Sequence, residues 1–107
     1  MSGNRFLADT NTFIYLLDKH PLLEPLLESE WFFSFITEIE LLGNPEITRS
    51  EIKQVKGVLA ACNKVVHVET INELTIALKQ QYKIKLPDAL IAATALHQQI
   101  DLFLLEP

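Results

Sequence analysis

Apolar residues in this chain fall into short blocks that are separated by longer amphipathic stretches. Four blocks are mostly apolar or β-branched and have the length of strands: 5–8, 30–34, 64–68 and 100–105. The stretches between them repeat apolar residues at helical spacing, at 13–17, 36–43, 48–63, 70–81 and 85–98, with a short leucine-rich helix between Pro21 and Pro25. The pattern therefore predicts strands that alternate with helices.

Polar residues and turn formers mark the ends of several of these helices. Thr48 and Glu51 have the spacing of a capping box, and Pro87 stands in the first turn of its helix. The residues at 43–45 (GNP) are a stop signal for the helix that precedes them.

The alternation of helices with nearly all-apolar strands predicts the fold class. It indicates an α/β sandwich around a parallel sheet, since strands covered on both faces lose their polar positions. The length of 107 residues fits one domain, 1–107. Ligands in such sheets bind beyond the carboxyl ends of the strands. Asp9 directly follows the first strand, so we expect it at that edge.

The composition predicts a packed core and argues against several classes of protein. Hydrophobic residues make up 49% of the chain, and the mean hydropathy is +0.18, so disorder is not expected. No apolar run approaches the roughly 20 residues that span a bilayer, and the N-terminus lacks the features of a signal peptide. We therefore expect a soluble, cytoplasmic protein with no membrane partner. Cys62 is the only cysteine, which excludes an internal disulfide and favours a packing role.

The formal net charge of −5 bears on nucleic-acid binding. It argues against tight, unaided binding to a phosphate backbone, which needs a basic patch. It does not exclude a nuclease, because divalent cations could neutralise several of the acids. A basic segment of a partner protein would neutralise acids in the same way.

Four carboxylates stand out by their places in the predicted elements. Asp9 follows a strand, Glu40 lies in an apolar stretch typical of a buried helix, Asp88 begins a helix, and Glu106 follows the last strand. Each also has a simpler explanation, as a helix cap, a helix-rim acid, a partner of the helix dipole or part of a frayed terminus.

The chemistry of this set points to metal-assisted phosphoryl transfer. We find no catalytic Ser/His or Cys/His arrangement, and the three histidines lack the spacing of ligands. Carboxylate oxygens at strand ends and helix starts favour Mg²⁺ or Mn²⁺. Such an ion activates a water and neutralises charge on a phosphate.

Three segments resemble the PIN-domain family, and in particular the VapC-like toxin ribonucleases of type II toxin–antitoxin systems. They are residues 7–11 (LADTN), 34–43 (SFITEIELLG) and 86–96 (LPDALIAATAL). Their order and spacing match the family from about residue 6 to residue 106. The third segment is the most distinctive of the three.

The resemblance implies a three-layer α/β/α sandwich with a mostly parallel sheet and a Mg²⁺- or Mn²⁺-dependent endoribonuclease activity. Where the sequence departs from the family's pattern, after the last predicted strand, we expect the C-terminal part of the fold to be shortened. It implies that Asp9, Glu40 and Asp88 are metal ligands, with Glu106 at the fourth acidic place. By the same resemblance, a supporting set orients the acids or a water: Asn11 and Thr37. It also implies an RNA substrate, a homodimer and silencing by a cognate antitoxin.

Two other functions remain open at this point. A catalytically degenerate PIN module would keep the fold and bind a partner or an antitoxin without cleaving RNA. The residues at 9–12 (DTNT) also resemble the nucleophile loop of a haloacid-dehalogenase-like phosphatase, but that loop needs a second aspartate where Asn11 stands.

Overall fold

The computed structural model describes residues 4–18 and 28–104; the helix predicted between Pro21 and Pro25 lies outside these residues. The strands are β1 (Arg5–Ala8), β2 (Glu30–Ser34), β3 (Asn63–Val65) and β4 (Asp101–Phe103). The helices are α1 (Thr10–Leu17), α2 (Phe35–Leu42), α3 (Arg49–Ala60), α4 (Glu69–Gln81) and α5 (Leu86–Gln98). The predicted alternation of strands and helices is confirmed.

The four strands form one sheet in the order β3-β2-β1-β4, with every pair parallel. In the registers, Leu7 of β1 lies opposite Phe32 of β2 on one side and Leu102 of β4 on the other. The carboxyl ends of β1 and β2 therefore meet at the same edge, where Asp9 follows β1 and α2 follows β2.

Side chains alternate between the two faces of the sheet, which gives the molecule two cores. Leu7 and Phe32 pack with residues of α4 and α5. Ala8, Trp31 and Phe33 pack on the other face with residues of α1, α2 and α3. Helices thus cover both faces, and the expected three-layer α/β/α sandwich with a parallel sheet is confirmed.

The third strand is shorter than its β-branched sequence predicts. We expected a strand over 64–68, whereas β3 ends at Val65 and Val68 caps α4. Its last pair joins Val65 to Ser34, the final residue of β2. Since the chain of β2 turns into α2 at that point, residues 66–68 have no neighbouring strand to pair with.

The helix ends follow the predicted signals. Thr48 and Glu51 form the capping box, with Glu51 N–H donating to Thr48 Oγ1 at 3.1 Å and Thr48 N–H donating to Glu51 Oε1 at 2.9 Å. The hydrogen bond from Thr48 N–H to the carboxylate lowers the pKa of Glu51, and the Thr48 side chain adds to this effect. Gly43 ends α2, where an added Cβ would lie 2.5 Å from the carbonyl oxygen of Ile39. Within the described ranges, every helix is too short or too polar to cross a bilayer.

Cys62 lies beside the core formed with α1 and α3, as the sequence predicts. Burial raises the pKa of its thiol from 9.0 to about 11. Because the thiolate is the reactive form, we expect iodoacetamide to label Cys62 about 100-fold more slowly in the folded protein than in urea at pH 8. The rate in the folded protein should keep rising up to about pH 11. Equal rates in the two states would contradict this packing role.

Candidate functional site at the carboxyl edge of the sheet

Asp9 begins the candidate site and also caps a helix. It is the N-cap of α1, and its Oδ1 accepts a hydrogen bond from Thr12 N–H at 2.8 Å. Its other oxygen, Oδ2, receives no hydrogen bond from the residues that the structure describes. The capping role and a ligand role are therefore compatible, because they use different oxygens.

The start of α1 is tied to the sheet by a buried hydroxyl. Thr12 is fully buried, and its Oγ1 donates to the backbone carbonyl of Phe103, the last residue of β4, at 3.0 Å. Phe13, the next residue, is also fully buried against Phe33 of β2. Asp9 and Thr10 therefore begin a helix whose position is set by contacts with two strands.

Glu40 is exposed, and the expectation that it lies in a buried helix is wrong. The buried side chains of α2 are Thr37 and Leu41, one helical turn apart. Only this face of α2 is covered, so neighbouring Ile39 is also 57% exposed despite its apolar side chain. Glu40 thus needs no metal to offset a burial cost, and its role has to be judged from its contacts.

Glu40 contacts the start of α1 through a threonine that the sequence did not single out. Thr10 Oγ1 donates to Glu40 Oε1 at 2.5 Å. Glu40 Oε2 receives no hydrogen bond from the described part of the chain. Asp9 and Glu40 therefore both bond to the first turn of α1, through Thr12 N–H and Thr10 Oγ1.

The two predicted supporting residues have different surroundings. Thr37 is fully buried, and its Oγ1 lies 3.5 Å from Thr10 Oγ1. Asn11 is exposed. Asp, Thr and Asn are all residues that commonly cap helices, so the local sequence at 9–11 carries a weak signal for Thr10. Asp9 is the residue that makes the capping bond. The hydroxyl of Thr10 was therefore left for another partner, which local sequence could not identify.

Asp88 lies in the first turn of α5 and is not joined to the other two acids. Thr94 Oγ1 lies 3.4 Å from Ser34 Oγ, at the carboxyl end of β2. Asp88 stands six residues earlier in α5, about 9 Å further along the helix axis at 1.5 Å per residue. α5 runs towards the amino end of β4, which follows it in the chain. The start of α5, where Asp88 lies, is therefore directed past the carboxyl edge of the sheet. Asp88 is exposed there, and no hydrogen bond in the described residues connects it to Asp9 or Glu40.

Glu106, the predicted fourth acid, lies outside the described residues. Within residues 4–18 and 28–104, no three His, Cys, Asp or Glu side chains form a group that would hold a metal ion. Two ion pairs form within this part of the chain, Arg5–Glu30 and Lys64–Glu38. Neither of them includes Asp9, Glu40 or Asp88, so these acids have no basic partner among the described residues. The four-acid ligand set stays a prediction.

The donors that the structure does bring together fit a hydrated divalent cation. Asp9 and Glu40 each keep one carboxylate oxygen free of hydrogen bonds from the described residues. Mg²⁺ is commonly held by one or two carboxylates, with waters and substrate phosphate as its other ligands. Two such acids at the carboxyl edge of a parallel sheet therefore fit this type of site.

A separate cleft of about 540 Å³ lies between α4, α5 and the start of α2. The described residues that line it are apolar, polar and basic: Phe35, His67, Asn72, Thr75, Ile76, Lys79, Gln80, Leu86 and Leu90. The rings of Phe35 and His67 are 4.9 Å apart. Asp9, Glu40 and Asp88 are not among these lining residues, so the cleft is distinct from the candidate site.

Comparisons with known proteins agree with the segments identified in the sequence. The family model of the PIN domain matches residues 6–105. The chain is similar to a toxin–antitoxin complex from Klebsiella pneumoniae, with 32% identity, a TM-score of 0.76, and coverage of 90% of this chain and 82% of that chain. It is also similar to VapBC2 from Rickettsia felis bound to a promoter DNA fragment, with 22% identity, a TM-score of 0.71, and coverage of 92% and 85%, which shows the fold alone. The search of curated proteins gave no match.

Proposed function

Since this chain belongs to the PIN domain family, we propose that it is a VapC-like toxin that cleaves RNA as a Mg²⁺- or Mn²⁺-dependent endoribonuclease. The resemblance noted in the sequence is thereby confirmed at the level of the family. The proposal for activity rests on one observation. Asp9 and Glu40 both bond to the first turn of α1, at the carboxyl edge of the sheet. Asp9 accepts from Thr12 N–H and Glu40 accepts from Thr10 Oγ1, and each carboxylate has one oxygen available.

In this proposal, Asp9, Glu40 and Asp88 would hold the cation, with Glu106 as a fourth ligand. A cation held there would supply a lower pKa for a bound water and would neutralise charge on the scissile phosphate. Asp9 contributes a carboxylate whose orientation is set by its capping bond to Thr12. Neutralising these acids also reduces the repulsion between a chain of net charge −5 and the RNA backbone.

The proposal includes partners. The relative from Klebsiella pneumoniae is described as a toxin–antitoxin complex, which supports a cognate antitoxin as the protein that silences this chain. We also propose a homodimer of single PIN-like domains, 1–107, that acts in the cytoplasm beside its RNA substrate. A basic antitoxin segment would suit the acidic edge that Asp9, Glu40 and Asp88 share.

Cleavage of RNA in the presence and absence of metal tests the activity. We expect the purified protein to cut a member of a panel of structured RNAs with Mg²⁺ or Mn²⁺, and to stop when EDTA removes the ion. Readdition of Mn²⁺ should restore cleavage, which controls for damage by the chelator. Equal cleavage with Mg²⁺ and with EDTA would reject the mechanism.

A second candidate function is a PIN module that binds a partner without cleaving RNA. It is favoured by the lack of a three-acid group among the residues described. Such a module would leave every RNA intact and show no change in melting temperature with Mn²⁺. Binding of Mn²⁺ together with cleavage would exclude it.

A further inference from the structure

We infer that Thr10 is a positioning residue, which holds the carboxylate of Glu40 in the orientation that binds the cation. The inference rests on the proposed function, because it assigns Thr10 a task in the same site. Neither the family match nor the sequence segments assign a role to this side chain.

Glu40 needs a contact that fixes the orientation of its carboxylate. Its side chain is exposed on the uncovered side of α2, where a glutamate normally samples several rotamers. The hydrogen bond from Thr10 Oγ1 to Glu40 Oε1, at 2.5 Å, removes much of that freedom. A hydrogen bond to a charged acceptor is among the stronger ones in proteins.

The position of Thr10 is itself fixed by buried contacts. It follows the cap residue Asp9 in the first turn of α1, which also contains the fully buried Thr12 and Phe13. Thr12 Oγ1 donates to Phe103 O at 3.0 Å, which links this turn to β4. Contacts with the sheet therefore fix the backbone that carries Thr10, and its side chain contacts Glu40 on a different helix, α2.

The proton of Thr10 goes to the carboxylate of Glu40. A threonine hydroxyl has one proton to donate, and the contact with Glu40 Oε1 is 2.5 Å long. The other contact of Thr10 Oγ1, with the Oγ1 of the fully buried Thr37, is 3.5 Å long and lies at the limit of a hydrogen bond. Glu40 Oε2 is left for the cation.

Direct titration with Mn²⁺ tests the inference without relying on RNA cleavage. By calorimetry, we expect Thr10→Val to weaken Mn²⁺ binding about 10-fold, the lower end of what the loss of an outer-shell partner costs. Thr10→Ser keeps the hydroxyl and should bind as the original protein does. Thr75→Val is a matched control, because Thr75 donates its hydroxyl to Ile71 O inside α4, away from the acids.

A double-mutant cycle separates positioning from a general loss of structure. If Thr10 acts through Glu40, Thr10→Val should have no further effect on Mn²⁺ affinity once Glu40→Gln is present. Should Thr10→Val fail to fold, Thr10→Ala removes the same hydroxyl with a residue that favours helices. We expect Thr10→Ala to weaken Mn²⁺ binding with an unchanged melting temperature.

The outcomes distinguish this inference from the proposed function. Tight Mn²⁺ binding by Thr10→Val, or equal losses from that change with and without Glu40, would overturn the role of Thr10 and leave the nuclease standing. No Mn²⁺ binding by the original protein would overturn the metal-dependent function, and the role of Thr10 with it. Weakened binding that Thr10→Ser restores supports both.

Discussion

Replacing Asp9 by asparagine should reduce the rate of Mn²⁺-dependent RNA cleavage by at least about 100-fold. Mutating a residue that only hydrogen-bonds a metal ligand lowers metal affinity or activity by about 10- to 100-fold, and Asp9 is proposed as a ligand itself. The substitution removes one negative charge and leaves the shape of the side chain. Asparagine caps helices as well as aspartate does, so the bond from Thr12 N–H to the side-chain oxygen is kept. We therefore expect the melting temperature to stay unchanged while the rate falls.

The control for this experiment lies at the other end of the same helix. Asp18 is the C-cap of α1 and is exposed. Asp18→Asn makes the same change of charge, and it should leave both cleavage and melting temperature as they are. Full activity of Asp9→Asn, measured as the initial rate on the same RNA, would show that the carboxylate of Asp9 holds no catalytic ion.

The largest loss of stability is expected from Phe13→Ala. Phe13 is fully buried between α1 and the sheet, with its ring 5.7 Å from that of Phe33 in an edge-to-face arrangement. Removing a buried phenylalanine costs about 3–5 kcal/mol of unfolding free energy, through lost burial and the cavity left behind. For a domain whose total stability is typically about 5–15 kcal/mol, this change should bring the protein close to unfolding. Urea denaturation measures the difference.

The next residue along the helix supplies the comparison. Ile14 is 44% exposed, so Ile14→Ala changes the free energy of unfolding by less than about 1 kcal/mol, as expected for a surface position. Similar urea midpoints for the two variants would mean that α1 does not pack on the sheet as described. Because Asp9, Thr10 and Thr12 all belong to this helix or its cap, Phe13→Ala should also weaken binding of Mn²⁺ at temperatures where the protein is still folded.

The elements were well predicted from sequence because each one has a strong local signal. The aromatic block Trp31-Phe32-Phe33 is a buried strand, and the capping box of Thr48 and Glu51 starts α3. Where a signal depended on a neighbour, prediction failed. Residues 66–68 have strand-like side chains, but β2 ends at Ser34 and offers them no partner.

The positions of the predicted acids follow only in part from topology, and the ligand set itself stays a prediction. Asp9 lies at the carboxyl edge because it directly follows β1, and Asp88 lies in the first turn of α5. The exposure of Glu40 was missed, because its flanking apolar residues do not show which side of α2 is covered. The link through Thr10 was missed for a different reason. It joins residues 30 positions apart, and no periodicity within either helix records such a contact.

The sequence by itself determined the order of strands and helices, the family and the acids that are candidates for chemistry. Those features follow from the spacing of apolar residues and from short motifs, which are properties of neighbouring positions. Only the tertiary structure decided the contacts of these acids. Asp9 caps α1 with one oxygen, and its other oxygen receives no hydrogen bond from the described residues. Glu40 accepts a hydrogen bond from Thr10. Hydrogen bonds between side chains depend on the packing of whole elements, so their partners become defined only when α1 and α2 lie against the same sheet edge.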